Sequence, residues 1–355
     1  MTWRTCALGD VVRFQRGHDL PEQDRKPGDV PVIGSAGQSG WHNEAIVKGP
    51  GVSIGRSGAS IGKVTYTPVD YWPHNASLYV TDFLGNDPRF IFYLLRTKDF
   101  SSLNSGAAQP SLNRNFVHTV TVTIPTLTKQ MAIAATLSAY DDLIENNRQR
   151  VALLEEAARL IYREWFVKAR FPGHEHVKLD DGIPQNWDRR KLGSILTLKR
   201  GYDLPEANRI AGEFPIVSSS GITGFHNESK ARGPGVVTGR YGTLGEVYYI
   251  EGDYWPLNTA LYVVDYKGHH PLMVFHLLKQ LLKGITAEKA AVPGVDRNVL
   301  HTMVVTWPPM GLQDDFIEIV RENQDQVRVL RRMNQRLEEA RDLILPRLIS
   351  GEIEI

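Results

Sequence analysis

The sequence predicts an α+β protein: two globular, mostly β domains in tandem repeat, separated by two long antiparallel coiled-coil helices and related by pseudo-two-fold symmetry. Three observations carry this expectation. A long heptad stripe occupies the middle of the chain. The same stripe returns at the C-terminus. The segments that precede the two stripes match residue by residue.

The chain has 355 residues, 42% of them hydrophobic, enough for two or three domains with their own cores. Its net charge is +1, with both signs interspersed, so no overall electrostatic signature stands out. A local basic face is nevertheless sufficient for nucleic acid. The lone Cys6 excludes an internal disulfide and any cysteine-based zinc site, which fits a reducing cytoplasm. Nothing reads as a signal peptide or a membrane span, so a soluble cytoplasmic protein is expected.

Residues 1–125 read as the first domain. Short apolar runs (Val30–Ile33, Gly51–Ile54, Lys63–Tyr66, Val120–Ile124) alternate with turn signals, and Phe90 to Lys98 reads as a short helix. A hinge, Ile124-Pro125-Thr126-Leu127, hands over to the first long helix, assigned to 126–170. There Ile133, Leu137, Tyr140, Ile144, Asn147, Val151, Leu154, Ala158, Ile161 and Trp165 step by four and three, the 3.5-residue repeat of a coiled-coil seam. From Gln130 to about Phe166 the run spans roughly 55 Å at 1.5 Å per residue. Such a helix is too long for one small core and needs a partner stripe.

Residues 171–186 (FPGHEHVKLDDGIPQN) have the composition of a linker. The second domain, 187–309, repeats the first. Arg16-Gly17 and Asp19-Leu20-Pro21-Glu22 return as Arg200-Gly201 and Asp203-Leu204-Pro205-Glu206. His42-Asn43-Glu44 returns as His226-Asn227-Glu228, Gly55-Arg56 as Gly239-Arg240, Tyr71-Trp72-Pro73 as Tyr254-Trp255-Pro256, and Arg114-Asn115 as Arg297-Asn298. The second long helix, 310–355, carries the seam again, from Phe316 and Val320 to Ile344 and Leu348, with Leu154-Glu155-Glu156-Ala157 shifted by 183 residues to Leu337-Glu338-Glu339-Ala340. A single heptad stripe is ordinary core packing; two copies at a fixed offset mark a duplication, whose symmetry requires antiparallel helices.

In this organisation the sequence resembles, over essentially its full length, the specificity (S) subunits of type I restriction-modification systems. Local marks agree: Ile161-Tyr162-Arg163-Glu164-Trp165-Phe166-Val167 followed by Phe171-Pro172-Gly173, then Gly182-Ile183-Pro184 with Trp187 and Leu192-Gly193, and the C-terminal Leu345-Pro346 with Leu348-Ile349-Ser350-Gly351-Glu352. The first domain opens without the Ile-Pro lead, which leaves its N-terminal boundary open. The resemblance implies a non-catalytic reader of double-stranded DNA. Each domain would be a target recognition domain for one half of an interrupted site, and the helices a ruler for the gap. Two methyltransferase (M) subunits would dock on the helices and the endonuclease/translocase (R) subunits through them. S-adenosylmethionine, ATP and magnesium would then belong to those partners, with no cofactor in this chain.

The residues also argue against chemistry here. Gly58-Ala59-Ser60-Ile61-Gly62-Lys63 has a misplaced leading glycine and Val64 where a phosphate loop needs Ser or Thr, and the repeat puts Glu246 at the lysine position. Trp307-Pro308-Pro309-Met310 lacks both the first residue and the aromatic of the amino-methyltransferase motif and reads as a hinge. Asp24-Arg25-Lys26 lacks the second acidic group of a magnesium-dependent nuclease, and the 11 histidines show no ligand spacing.

DNA contacts are therefore expected from polar loops. Ser35, Gln38, His42 and Asn43, with Ser219, His226 and Asn227, lie in Gly- and Ser-rich segments that let backbone approach a phosphate or base edge. Arg56 and Arg240 are candidates for bidentate guanine contacts, with a phosphate contact or an internal salt bridge as equal alternatives. Arg16, Arg200, Lys48, Arg232, Arg114 and Arg297 are expected on phosphates. Gln109, Asn113 and Asp296 are candidates for base edges, with turn capping the alternative. Asn75 and Asn258 read as structural, and Trp72 and Trp255 as core aromatics. The in-phase differences Ser57 against Tyr241, Lys63 against Glu246, Gln38 against Ile222, and Ala36 against Ser220 are where partly palindromic half-sites are expected to diverge. In the seam, Asn147, Asn323 and Asn334 are candidates for fixing register, and with it the gap. The alternative from another class is a stand-alone bipartite DNA-binding regulator. A half of a fused restriction-methylation enzyme is disfavoured, because the chain begins and ends at repeat boundaries.

Overall fold

The computed structural model describes residues 3–103, 111–240, 245–283 and 296–355. The chain divides into two compact units: one is 1–148 with 331–355, the other 149–330. The two long helices are thus each shared between units, and the domain segments 1–125 and 187–309 fall in different ones.

The first unit contains β1 (Arg4–Ala7), β2 (Arg13–Arg16), β3 (Val30–Gly34), β4 (Gly37–His42), β5 (Gly51–Gly55), β6 (Val64–Thr67), β7 (Trp72–Pro73), β8 (Ser77–Asp82), α1 (Pro88–Arg96), α2 (Arg114–Thr119), β9 (Thr121–Ile124) and the first part of α3 (Leu127–Tyr162). An antiparallel sheet in the order β2-β8-β5-β6 lies beside a smaller one, β4-β3-β7, and β1 pairs with β9. The apolar alternation of these strands sends Phe14, Val52, Ile54, Leu78 and Val80 into one core with Phe90, Ile91 and Leu94 of α1. Helix α1 starts where Asp87 accepts a hydrogen bond from the Phe90 N–H (2.7 Å) and Pro88 takes the first turn. Ile133 and Leu137 of α3 close the same core together with Leu345 and Leu348 of the C-terminal helix.

Helix α3 begins three residues before Gln130 and two after the hinge proline Pro125. The buried Gln130 explains why: its Nε2 donates to Pro125 O (3.0 Å) and Asn86 Oδ1 (2.8 Å), while its Oε1 accepts from Asp87 N (3.0 Å). One amide thus ties the helix start to the start of α1.

The second unit contains β10 (Leu179–Asp180), β11 (Ile183–Pro184), β12 (Asp188–Lys191), β13 (Thr197–Arg200), β14 (Phe214–Ser218), β15 (Gly221–His226), β16 (Gly235–Gly239), β17 (Val247–Ile250), β18 (Trp255–Pro256), β19 (Ala260–Asp265), α4 (Pro271–Leu281), α5 (Arg297–Thr302), β20 (Val304–Trp307) and the first part of α6 (Met310–Ser350). Its sheets run β13-β19-β16-β17 and β15-β14-β18, with β12 on β20. Gln313 repeats the helix-entry bond, its Nε2 donating to Pro308 O (2.8 Å).

Two expectations are corrected here. The segment 171–186 is not a loose linker: Phe171 is buried and stacks on Trp187 at 5.6 Å, Val177 and Ile183 pack on the same core, and β10 pairs with β11. Its polar composition hides three apolar anchors. The α-helix also does not run to Phe166, because Arg163–Val167 form a π-helical turn. Trp165 and Phe166 are adjacent yet both buried, and the wider turn lets both rings reach the core.

That core holds His276, 6% exposed, stacked on Tyr162 (5.7 Å) and edge-on to Phe316 (5.4 Å). Burial first, and then the Lys279 charge, lower its pKa from 6.5 to about 3. The unfolded chain binds this proton first, so stability is complete above the unfolded value and declines as pH falls toward the folded one. The slope is about 1.4 kcal/mol per pH unit. Urea denaturation of the wild type at pH 7 and pH 5 should therefore show a loss of about 2 kcal/mol that His276→Phe lacks; equal losses in both proteins would exclude this histidine as the source.

Candidate nucleic-acid interface

In the first unit three arginines converge because three backbone devices place them. Arg16 ends β2, and Gly17 follows with its backbone so close to the next loop that a Cβ would sit 2.2 Å from His74 O. Only glycine fits, and the close approach turns the chain at the cleft's rim. Arg56 follows β5 and is pinned on both sides, its N–H donating to Ala76 O (2.8 Å) and its O accepting from Leu112 N (2.9 Å). Arg114 opens α2, capped by Asn113, whose Oδ1 accepts from Asn115 N (2.9 Å). These residues, with Gln15 and His18, line a cleft of about 590 Å³.

The cleft is a cationic concavity. Its one acidic lining residue among the described residues, Asp19, stands 4.0 Å from Arg16 and accepts a hydrogen bond from Asn75. Burial, and then the Arg16 charge, lower the pKa of the half-buried Arg56. Like charges held together and partly desolvated are relieved by an anion, and a phosphate has the geometry for a guanidinium fork.

The second unit sets the same three residue types at the same topological places. Arg200 ends β13, Arg240 follows β16 with its N–H on Thr259 O (2.9 Å), and Arg297 opens α5 behind the Asp296 cap. Gly201 meets Leu257 O as Gly17 meets His74 O, and Asn258 donates to Asp203.

Other candidates lie away from this cleft. Asn43, Lys48, Asn227 and Arg232 are exposed in the loops after β4 and β15, and Gln38 is exposed on β4. Lys63 borders a separate cleft of about 340 Å³ with Tyr66, Arg89 and Asp141. Ser35 ties loops together, its Oγ donating to Ser57 O (2.7 Å), and Ser219 O accepts from the Tyr248 hydroxyl (3.4 Å). Gln109 and Tyr241 lie outside the described residues.

His42 and His226 are corrected. Each is 5% exposed, each Nδ1 accepts a backbone N–H (from Lys26 and from Ile210, both 3.1 Å), and each ring meets Trp72 or Trp255 edge-on. They are braces of the loop, not surfaces for DNA. The in-phase repeat that made them candidates reflects a repeated fold. Asn113 and Asp296 are the caps that the alternative reading anticipated, each with one polar atom of the side chain left over.

In the seam, Asn147 (1% exposed) donates to Asn334 Oδ1 (2.9 Å), and Asn334 (9% exposed) donates to Ile144 O (3.0 Å). Arg341 to Asp141 (2.6 Å) and Arg148 to Glu338 (2.7 Å) flank the pair within the first unit, and the crossed residue order makes the two helices antiparallel there. Asn323 is half-buried.

Sequence reasoning missed the exposed aromatics Trp41 and Phe225, at equivalent places on β4 and β15, and also Gln15 and His18. The alternation of β2 carries the latter signal: Phe14 faces the core, so Gln15 faces out.

Residues 1–156 match the family model described as the type I restriction modification DNA specificity domain. The chain is 25% identical over 306 residues to the type I restriction enzyme MjaIX specificity subunit of Methanocaldococcus jannaschii, covering 75% of this chain and 69% of that one. To the MjaVIII specificity subunit of the same organism it is 26% identical over 118 residues, 32% of this chain and 28% of that one. The S subunit of a type I restriction-modification system from M. genitalium shares the fold, with a TM-score of 0.64 at 19% identity, covering 98% and 96% of the two chains. Among the described residues no helix is long and apolar enough to cross a membrane.

Proposed function

We infer that this chain is a type I restriction-modification specificity subunit, and that each of its two units reads one half of an interrupted duplex target. As such the chain is a non-catalytic DNA-recognition subunit. The observation that carries the half-site reading is the repeated arginine set, Arg16, Arg56 and Arg114 in one unit and Arg200, Arg240 and Arg297 in the other. Two equivalent cationic places on one chain suit two equivalent stretches of backbone phosphate.

In this reading the long helices, each shared by both units, set the gap, and methyltransferase subunits dock on them. Leu153, Leu160 and Val329 in the second unit, and Leu343 in the first, are exposed apolar residues on α3 and α6 that suit such docking. The endonuclease subunits join through the methyltransferases in the cytoplasm, and S-adenosylmethionine, ATP and magnesium act in those partners. The Asn147–Asn334 pair fixes helix register, because a slipped seam would leave buried amides without partners.

The test is a length change. Inserting about four residues, one helical turn, into one long helix should lengthen the recognised gap by about a base pair or two, from 1.5 Å of rise against about 3.4 Å per base pair. A variant that still folds, still binds DNA and selects an unchanged gap would refute the ruler.

A further inference from the structure

The two units share their arginines, and what is the same in both cannot tell one half-site from the other. Discrimination must come from lining residues that differ. Setting the units in phase, Gln15 becomes Lys199, His18 becomes Tyr202 and Asn113 becomes Asp296. The strand partners are constant: Gln15 lies opposite Tyr79 and Lys199 opposite Tyr262, in the same register.

The substituted groups have opposite hydrogen-bonding character. Gln15 is exposed, and its amide makes no hydrogen bond among the described residues. It offers a donor and an acceptor side by side, which matches adenine N7 and N6 in the major groove. Asn113 spends its Oδ1 on the helix cap and keeps its Nδ2 donors, which suit the O4 of a paired thymine.

In the second unit Lys199 is a pure donor. It is held in place, its Nζ donating to the Tyr202 hydroxyl (3.3 Å) and lying 5.3 Å from that ring's centre, while Tyr202 bonds Tyr262 (3.1 Å). A donor without an acceptor matches guanine O6 and N7. Asp296 uses Oδ1 for its cap and keeps Oδ2, an acceptor for cytosine N4.

We propose that Gln15 with Asn113, and Lys199 with Asp296, are the specificity-determining pairs of the two units, the first reading an A·T pair where the second reads a G·C pair. This rests on the half-site reading above. The arginines then hold phosphates, and the halves of the target are related except at this place.

The experiment is a selection from randomised duplex DNA by the full chain, as wild type, as Gln15→Lys with Asn113→Asp, and as Lys199→Gln with Asp296→Asn. The first variant should exchange A·T for G·C in one half-site and the second the reverse in the other, each with about a ten- to hundred-fold change in preference. Failure of the wild type to select any bipartite site would sink the half-site reading itself. A bipartite wild-type site that both variants retain, or that both lose equally on all sequences, would overturn the pairs alone. The variants lie in different units, so misfolding of one leaves the other to decide.

Discussion

Replacing Arg16, Arg56 and Arg114 together by alanine is expected to weaken duplex binding by the full chain on the order of a hundred-fold, since each removes an exposed charge pair worth up to about 1 kcal/mol. The same variant should flatten the salt dependence, lowering the slope of log K against log salt by about 2.7, or about 0.9 per phosphate. Fold stability should hardly move, because Arg16 and Arg114 are exposed and Arg56 is only half-buried. A salt titration by filter binding, with a melt as control, reads both quantities. The single change Arg56→Lys tests the phosphate role given to that residue. A lysine keeps a phosphate contact but loses the fork that fits guanine, so unchanged sequence preference assigns Arg56 to the backbone. If the triple variant keeps the wild-type slope, the cleft is not where DNA lies.

Asn147→Leu should destabilise the first unit by about 1–3 kcal/mol, because it strands the Asn334 carbonyl in a buried seam. Asn147→Leu combined with Asn334→Leu should recover most of that loss, since an apolar pair leaves only the Ile144 carbonyl without its side-chain donor. Stability and register then part company. The double variant should fold well yet accept more than one gap length in a selection for bound duplexes. A double variant no more stable than the single one, or one still confined to a single gap, would remove the register role.

Periodicity made the helices legible. Ile133, Leu137, Ile144 and Asn147 are buried as their spacing requires, and Asn334 meets Asn147 although they are far apart in sequence. The π-helical turn at Arg163–Val167 was not legible, because two adjacent aromatics satisfy a helical pattern until both must face one core. The site was legible only in part. Arg16, Arg56 and Arg114 stood out by charge and repetition, but their convergence depends on Gly17 and on the backbone bonds of Arg56 to Ala76 O and from Leu112 N. His42 and His226 were misread because a polar residue in a repeated loop looks like a contact until its burial against Trp72 and Trp255 is known. Gln15 escaped notice because nothing repeats there: its counterpart is Lys199.

The central claim, two units reading two halves of one target for a methyltransferase, is tested most directly by co-expressing the chain with a type I methyltransferase subunit and mapping methylated adenines across the host genome. The account predicts one interrupted motif with a methylated adenine in each half. A soluble complex that retains DNA but leaves no such motif would contradict it and favour the bipartite regulator.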